Sequence, residues 1–181
     1  EMKKFVLIGL ILAVAVMSGC GSIQKSIRNT KTIHGALDSG VKLGKSVYYR
    51  VSYHKQQNLY FGFSSDIVSD DTVEPNEKQK KFVDYFIRAT DEEFKKKGLT
   101  LIKENGKDRT ATVLEIKITY FIGKPMLLSG WAGSKWILNG LRINRMVVVS
   151  FSGLSGDETI KEGAEKLAKE MSGEFFNEIT L

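Results

Sequence analysis

Two long stretches of the 181-residue chain carry apolar residues at the spacing of an α-helix, and they limit the folds open to it. In residues 78–97, one face carries Phe82, Phe86, Ala89, Thr90 and Phe94, and Gly98 follows as a stop signal. In residues 157–179, the same spacing is shown by Ile160, Ala164, Leu167, Met171 and Phe175. Because each predicted helix has a single apolar face, each must pack against another element.

The segments around these helices favour strands. β-branched, aromatic and alternating residues predict strands at 46–54, 58–67, 99–103, 110–122 and 141–153. Residues 66–76 are acidic and include Pro75, so we interpret them as a loop. Short turns between these elements predict an α+β fold, in which an antiparallel sheet carries two helices packed on one face as a two-layer sandwich.

The N-terminal segment has the order of a secretory signal. Lys3 and Lys4 precede an apolar run, residues 5–16, and the small residues Ser18 and Gly19 follow it. A helix that crosses a bilayer needs about 20 apolar residues, so this run is too short for a permanent span. It ends at Cys20, the single cysteine of the chain, which therefore has no partner for an internal disulfide.

The sequence Met17-Ser18-Gly19-Cys20 resembles the lipobox of bacterial lipoproteins. The resemblance implies that Cys20 is lipidated after cleavage and becomes the new N-terminus. Two or three acyl chains hold a protein stably at a membrane, since each buried methylene contributes about 0.8 kcal/mol. Gly21 then implies the outer membrane, facing the periplasm, in a Gram-negative cell. In a Gram-positive cell the same residues imply the outer face of the cytoplasmic membrane.

We therefore divide the chain into a signal peptide at 1–19, a lipidated basic tether at 20–45 and one α+β domain at 46–181. The tether carries five basic residues up to Lys45 and one acidic residue, Asp38. It is either attracted to an anionic lipid surface or is a solvated linker. From Gln79 onward, the helix, the Lys-Gly-Leu step into strands and the closing helix resemble YajG-type small outer-membrane lipoproteins.

No segment matches a catalytic, cofactor or metal motif. Residues 39–46 approach a phosphate-binding loop, but Ser39 replaces its first glycine. The two histidines and a lipidated cysteine form no zinc set, and the acidic residues of 66–76 lack calcium-loop spacing. We predict no catalytic, cofactor or metal residue. The net charge of +6 is too modest to indicate nucleic-acid binding.

Residues 123–140 contain both tryptophans of the chain in an unusually long apolar connection. One interpretation is an extended hairpin that turns at residues 132–134 and packs Trp131 and Trp136 on the sheet. The others are a contact loop for a membrane or a partner, and a ligand pocket. In a contact loop, Trp131 and Trp136 are the anchors, and Lys124 and Lys135 meet lipid phosphates or an acidic partner.

These features favour a non-enzymatic, lipid-anchored envelope protein with a binding or assembly role. Its predicted partners are the membrane, through the N-terminal lipid, and another envelope protein. One alternative is an envelope hydrolase that uses His54 with Ser64 or Ser65. The other is a purely structural spacer. A buried His54 close to a serine and a carboxylate in a cleft is the arrangement that favours the hydrolase.

Overall fold

A computed structural model describes residues 31–34, 43–56, 68–105, 112–121, 129–150 and 156–179. Within them the chain forms seven strands and two helices, which confirms the α+β class. In chain order the elements are β1 (Lys31–His34), β2 (Ser46–Gln56), β3 (Val68–Thr72), α1 (Glu77–Lys96), β4 (Thr100–Lys103), β5 (Val113–Phe121), β6 (Ser129–Leu138), β7 (Leu141–Ser150) and α2 (Gly156–Glu178).

Both predicted helices are confirmed, and α1 shows why its sequence begins and ends a helix. The Asn76 side chain accepts a hydrogen bond from the Gln79 amide at 3.0 Å, and the Gln79 side chain accepts one from the Asn76 amide at 2.8 Å. This reciprocal capping box satisfies two amides at the helix start. At the other end, Gly98 has φ +72°, a conformation that favours glycine, and the Leu99 amide donates to the Phe94 carbonyl.

The sheet is mixed, so the prediction of a purely antiparallel sheet is wrong. Its strand order is β1-β7-β6-β5-β2-β3, and β4 also pairs with β2. Strand β2 is parallel to both β4 and β5, whereas the other pairs are antiparallel. The physical reason is the crossover through α1, which returns the chain to the end where β2 began, so that β4 runs in the same direction as β2.

The loop predicted at residues 66–76 is also wrong in part, because Val68–Thr72 form β3. The side chain of Val68 is buried and Ser69 is half-buried, while the last three residues of the strand are exposed. The pairing with β2 contains a register shift between His54 and Gln56, and such a bulge bends a strand. The sheet curls there, and β3 lies near β5 and β6 as well as β2. The strand predicted at 58–67 lies outside the described residues.

Strand β6 corrects the interpretation of residues 123–140. Residues 132–134, predicted as a turn, lie inside this central strand and pair with β5 and β7 on either side. The turn is formed instead by Asn139 and Gly140, with φ of 37° and 86°, and it joins β6 to β7. The small residues at 132–134 are buried, where they leave room for larger neighbours such as Tyr120.

Alternation along the strands gives the sheet two unlike faces. Trp136 lies beside Phe94 of α1 and Phe175 of α2, so both helices pack on the face that carries Trp136. We call it the helix face, and the reverse side the opposite face. The two helices also contact each other, with an ion pair between Lys81 and Asp157 at 2.8 Å. Strand β1 pairs with β7, so the segment predicted as a tether contributes to the sheet.

Candidate functional site

Of the predicted contact residues, Trp136 and Lys135 do not share one surface. Cys20 and Lys124 lie outside the described residues. The backbone of Trp131 belongs to β6, where it pairs with Phe121 and Val148. Trp136 and Lys135 are neighbours in β6 and therefore point to different faces of the sheet.

Trp136 is a core residue. It is only 1% exposed, and its ring lies 6.4 Å from Phe86, 6.0 Å from Phe94 and 5.4 Å from Phe175, between ring centroids. A side chain enclosed in this way presents no surface to a partner. Trp136 therefore packs on the sheet, as the hairpin interpretation of residues 123–140 predicts, and does not lie at the surface, as the contact-loop interpretation predicts.

Lys135 lies on the opposite face and is 5% exposed. It pairs in register with Lys117 of β5, and both ammonium groups lower the pKa of Asp70 in β3. The direct contact is made by Lys117, whose Nζ lies 2.8 Å from an Asp70 carboxylate oxygen. In this structure the charge of Lys135 therefore acts on Asp70, a carboxylate of the same chain.

A polar cluster occupies this part of the opposite face, and we call its four residues the His54 cluster: Ser52, His54, Asp70 and Lys117. Ser52 and His54 are two residues apart in β2 and share a face, and Ser52 pairs in register with Lys117. Ser52 Oγ and His54 Nε2 share a hydrogen bond of 2.7 Å. The histidine is 3% exposed. The curl of β3 over the sheet brings Asp70 to the same place.

Burial lowers the pKa of His54, and the nearby ammonium group of Lys117 lowers it further. The backbone of Ser69 and the charge of Asp70 act in the opposite direction but are weaker. The hydrogen bond and charge of Lys117, above all, lower the pKa of Asp70. At neutral pH, the lowered pKa values therefore favour a neutral imidazole at His54 and an ionised carboxylate at Asp70.

The cluster meets part of the arrangement that favours a hydrolase. A serine, a buried histidine and a carboxylate lie close together, but the serine is Ser52, since Ser64 and Ser65 lie outside the described residues. Among the described residues, the Nδ1 atom of His54 has no hydrogen-bond partner, and the Asp70 carboxylate binds Lys117. A catalytic triad needs that carboxylate on the Nδ1 side to orient the imidazole. The pair can still transfer a proton between Ser52 and His54.

Among the residues that the structure describes, no group of three or more histidine, cysteine, aspartate or glutamate side chains is placed to hold a metal ion. No helix in this part of the chain is long and apolar enough to span a bilayer.

A groove lies at the outer edge of β2, between β3 and the first half of α1, and we call it the edge groove. Its volume is about 330 Å³, within the range of small-ligand sites. Apolar side chains on its walls include Val51, Val73, Pro75 and Val83, and charged side chains include Glu74, Lys80 and Asp84. Val73 is 40% exposed.

Sequence reasoning missed the edge groove because it assigned residues 66–76 to a loop. The groove depends on the pairing of β3 with β2 and on the packing of α1 beside them. Both are tertiary contacts, which a local sequence pattern does not show. The one local signal is Pro75, which lacks an N–H and is expected where strand pairing ends.

Comparison with known proteins gives no family for this chain. No protein-family model matches it, and no curated protein sequence matches it closely enough to count as a relative. A solved protein described as "Crystal structure of uncharacterized protein" is similar over 75% of this chain and 91% of its own, with 13% identity and a TM-score of 0.46. A similarity of this degree gives no information on activity.

Proposed function

We propose that the protein is a lipid-anchored envelope protein with a binding or assembly role at the outer membrane, facing the periplasm. The anchor rests on the sequence that ends at Cys20. The binding role rests on the edge groove, which combines apolar walls with the acidic side chains of Glu74 and Asp84. In this proposal the acyl chains hold the protein at the membrane, and the groove contacts another envelope protein.

The anchor is tested by growth with labelled palmitate, comparing the native chain with Cys20→Ala. We expect label in the native protein and none in the variant, because the thiol is the site of acyl attachment. Equal labelling of the two proteins, or of neither, contradicts the anchor. Ser46→Ala, a change at an exposed strand end, is the matched control and should label like the native protein.

The binding role is tested in cells by placing a photo-crosslinking residue at Val73, in the edge groove, and at Glu92, on the exposed surface of α1. We expect a discrete crosslinked envelope protein from position 73 and none from position 92. If position 73 and a set of positions over the rest of the described surface all give no discrete product, the binding role is wrong.

The hydrogen bond between Ser52 and His54 favours a second candidate, an envelope hydrolase with Ser52 as nucleophile and His54 as base. A fluorophosphonate probe, which reacts with activated serines, discriminates the two. Labelling that disappears in both Ser52→Ala and His54→Gln, but persists in Ser69→Ala, supports the hydrolase. No labelling of the native protein argues for the binding role.

A further inference from the structure

We propose that the edge groove binds an extended peptide of a partner protein, which adds as a short strand beside Val51 and places a lysine or arginine between Glu74 and Asp84. This inference rests on the proposed binding function and names the class of partner. Main-chain hydrogen bonds would supply affinity, and the walls of the groove would select the side chains.

With respect to the described residues, the backbone of β2 is open at Val51. Its outer edge is paired before the groove, where the Tyr49 carbonyl accepts from the Glu104 amide at 2.9 Å, and after it, where the Tyr53 carbonyl accepts from the Val73 amide at 3.1 Å. Because backbone groups alternate along a strand, the N–H and C=O of Val51 point to the same edge. Among the described residues, no backbone group bonds to Val51 there.

Pro75 explains why β3 does not continue along this edge. The pairing of His54 with Thr72, extended along the antiparallel register, brings Pro75 opposite Val51. Proline has no backbone N–H, so it cannot donate to the Val51 carbonyl. The pairing with β4 has also ended, at Tyr49 and Lys103. Between the paired carbonyls of Tyr49 and Tyr53, the stretch of this edge without a strand partner among the described residues is 50–52, about 10 Å long at the usual rise of a strand, which suits a three-residue core of a peptide.

The side chains of the groove indicate the peptide's chemistry. Val73 and Val83 give it apolar walls, which suit a β-branched or aliphatic side chain. Glu74 and Asp84 are exposed and form no ion pair with any described residue. The remaining charged side chain, Lys80, is already 3.3 Å from Glu77. With respect to the described residues, these two acidic groups are therefore available to complement a cationic side chain on the peptide.

The first test uses phage-displayed random heptapeptides, selected on the full chain purified in detergent. We expect enrichment of sequences that carry Lys or Arg next to β-branched residues. The best peptide, labelled with fluorescein, should bind Asp84→Lys at least tenfold more weakly than the native chain. Glu92→Lys, the same charge change two turns along α1, should leave its affinity unchanged. No enrichment, or equal affinity for the two variants, overturns the proposal.

The second test examines the strand addition itself. Binding of the same peptide should slow amide hydrogen exchange at Val51, and N-methylation of the peptide's central amide should abolish binding by removing a donor. Unchanged exchange at Val51, or full affinity of the methylated peptide, overturns the proposal.

These outcomes are separate from those of the proposed function. If crosslinking in cells captures a partner at another surface while the peptide tests fail, the binding role stands and the edge groove is not its site. If neither approach finds a partner, the binding role fails as well.

Discussion

The two faces of the sheet bury different kinds of side chain, although the same strands form both. On the helix face, β6 presents Trp136 to the aromatic side chains of α1 and α2. On the opposite face, the adjacent residue Lys135 is buried among polar neighbours. Apolar burial stabilises without a partner, whereas a buried polar group stabilises only if its charge and hydrogen bonds are satisfied. Aromatic side chains therefore surround Trp136 on the helix face, whereas Lys135 on the opposite face lies beside Lys117 and Asn144 in register.

The ion pairs of the two faces differ in the opposite sense, because the more buried ones lie on the helix face. Arg145, on the helix face, binds Glu170 at 2.7 Å and Glu174 at 3.2 Å, and all three side chains are mostly buried. The pair of Lys117 and Asp70 on the opposite face has a carboxylate that is 82% exposed. Solvent screens the second pair far more than the first. The four changes below test this contrast, beginning with the largest expected effect.

Trp136→Ala should lower the free energy of unfolding by about 3–5 kcal/mol, because it removes a large buried ring from the contact of both helices with the sheet. Urea denaturation followed by circular dichroism measures the loss. Val73→Ala, at an exposed apolar residue, is the control and should change stability by less than about 0.5 kcal/mol. A loss below 1 kcal/mol for Trp136→Ala would contradict its role in the core.

Tyr53→Phe should cost about 1–3 kcal/mol, because the buried hydroxyl donates to the Tyr120 carbonyl at 2.8 Å and accepts from the Tyr120 amide at 3.1 Å. The change leaves the ring and removes only the oxygen that ties β2 to β5. The same denaturation assay applies. Tyr48→Phe, a half-buried tyrosine on the opposite face, is the matched control, and an equal cost at both positions would count against the hydrogen bonds.

His54→Gln should reduce the dependence of stability on pH. Because burial and Lys117 lower the pKa of His54 in the folded protein, the unfolded chain takes up the proton more readily. The folded state is therefore stabilised by keeping His54 neutral. This contribution is complete above the ordinary pKa of 6.5, and it is lost as the pH falls from there through the lower pKa that His54 has in the folded protein. The native protein should therefore lose more stability than the variant between about pH 7.5 and pH 5. Identical losses in parallel urea titrations would show that His54 is not the responsible group.

Asp70→Asn should have the smallest effect, under about 1 kcal/mol, because the carboxylate is exposed and its attraction to Lys117 is screened. The difference from the native protein should shrink further in about 1 M salt, where the screening length is short. Thermal melts at low and high salt measure it. A loss that is large and independent of salt would place Asp70 with the buried pairs.

The parts of the fold that the sequence predicts well depend on local chemistry. Helix α1 is recognisable from its phenylalanine spacing and from Gly98, and α2 from its own apolar spacing. The turn at Asn139 and Gly140 was equally recognisable, since Asn-Gly between two extended segments is a strong hairpin signal. The prediction placed the turn at residues 132–134 because small residues are common in turns, but here they fill a crowded central strand.

The rest depends on contacts between distant residues. The direction of β4 relative to β2 follows from how α1 crosses the sheet, and β3 is a strand only because β2 bends to receive it. The edge groove depends both on the path of α1 and on the pairing of β3 with β2, so the sequence of a single segment does not indicate it. The hydrogen bond of His54 with Ser52 is predictable in principle, since residues two apart share a face of a strand. The hydrolase alternative names Ser64 and Ser65 instead, which are farther along the chain.

The parallel pairing of β2 has a consequence for the order in which the protein folds. The β6–β7 hairpin closes through a two-residue turn, and such hairpins form in about 1–10 µs. Strand β2 pairs with β4 across a sequence separation of 54 residues, and with β5 across a still larger one. Chain synthesis produces β2 well before β4 and β5, so the backbone groups of β2 that pair with them stay open, and exposed to aggregation, while the intervening chain is being made.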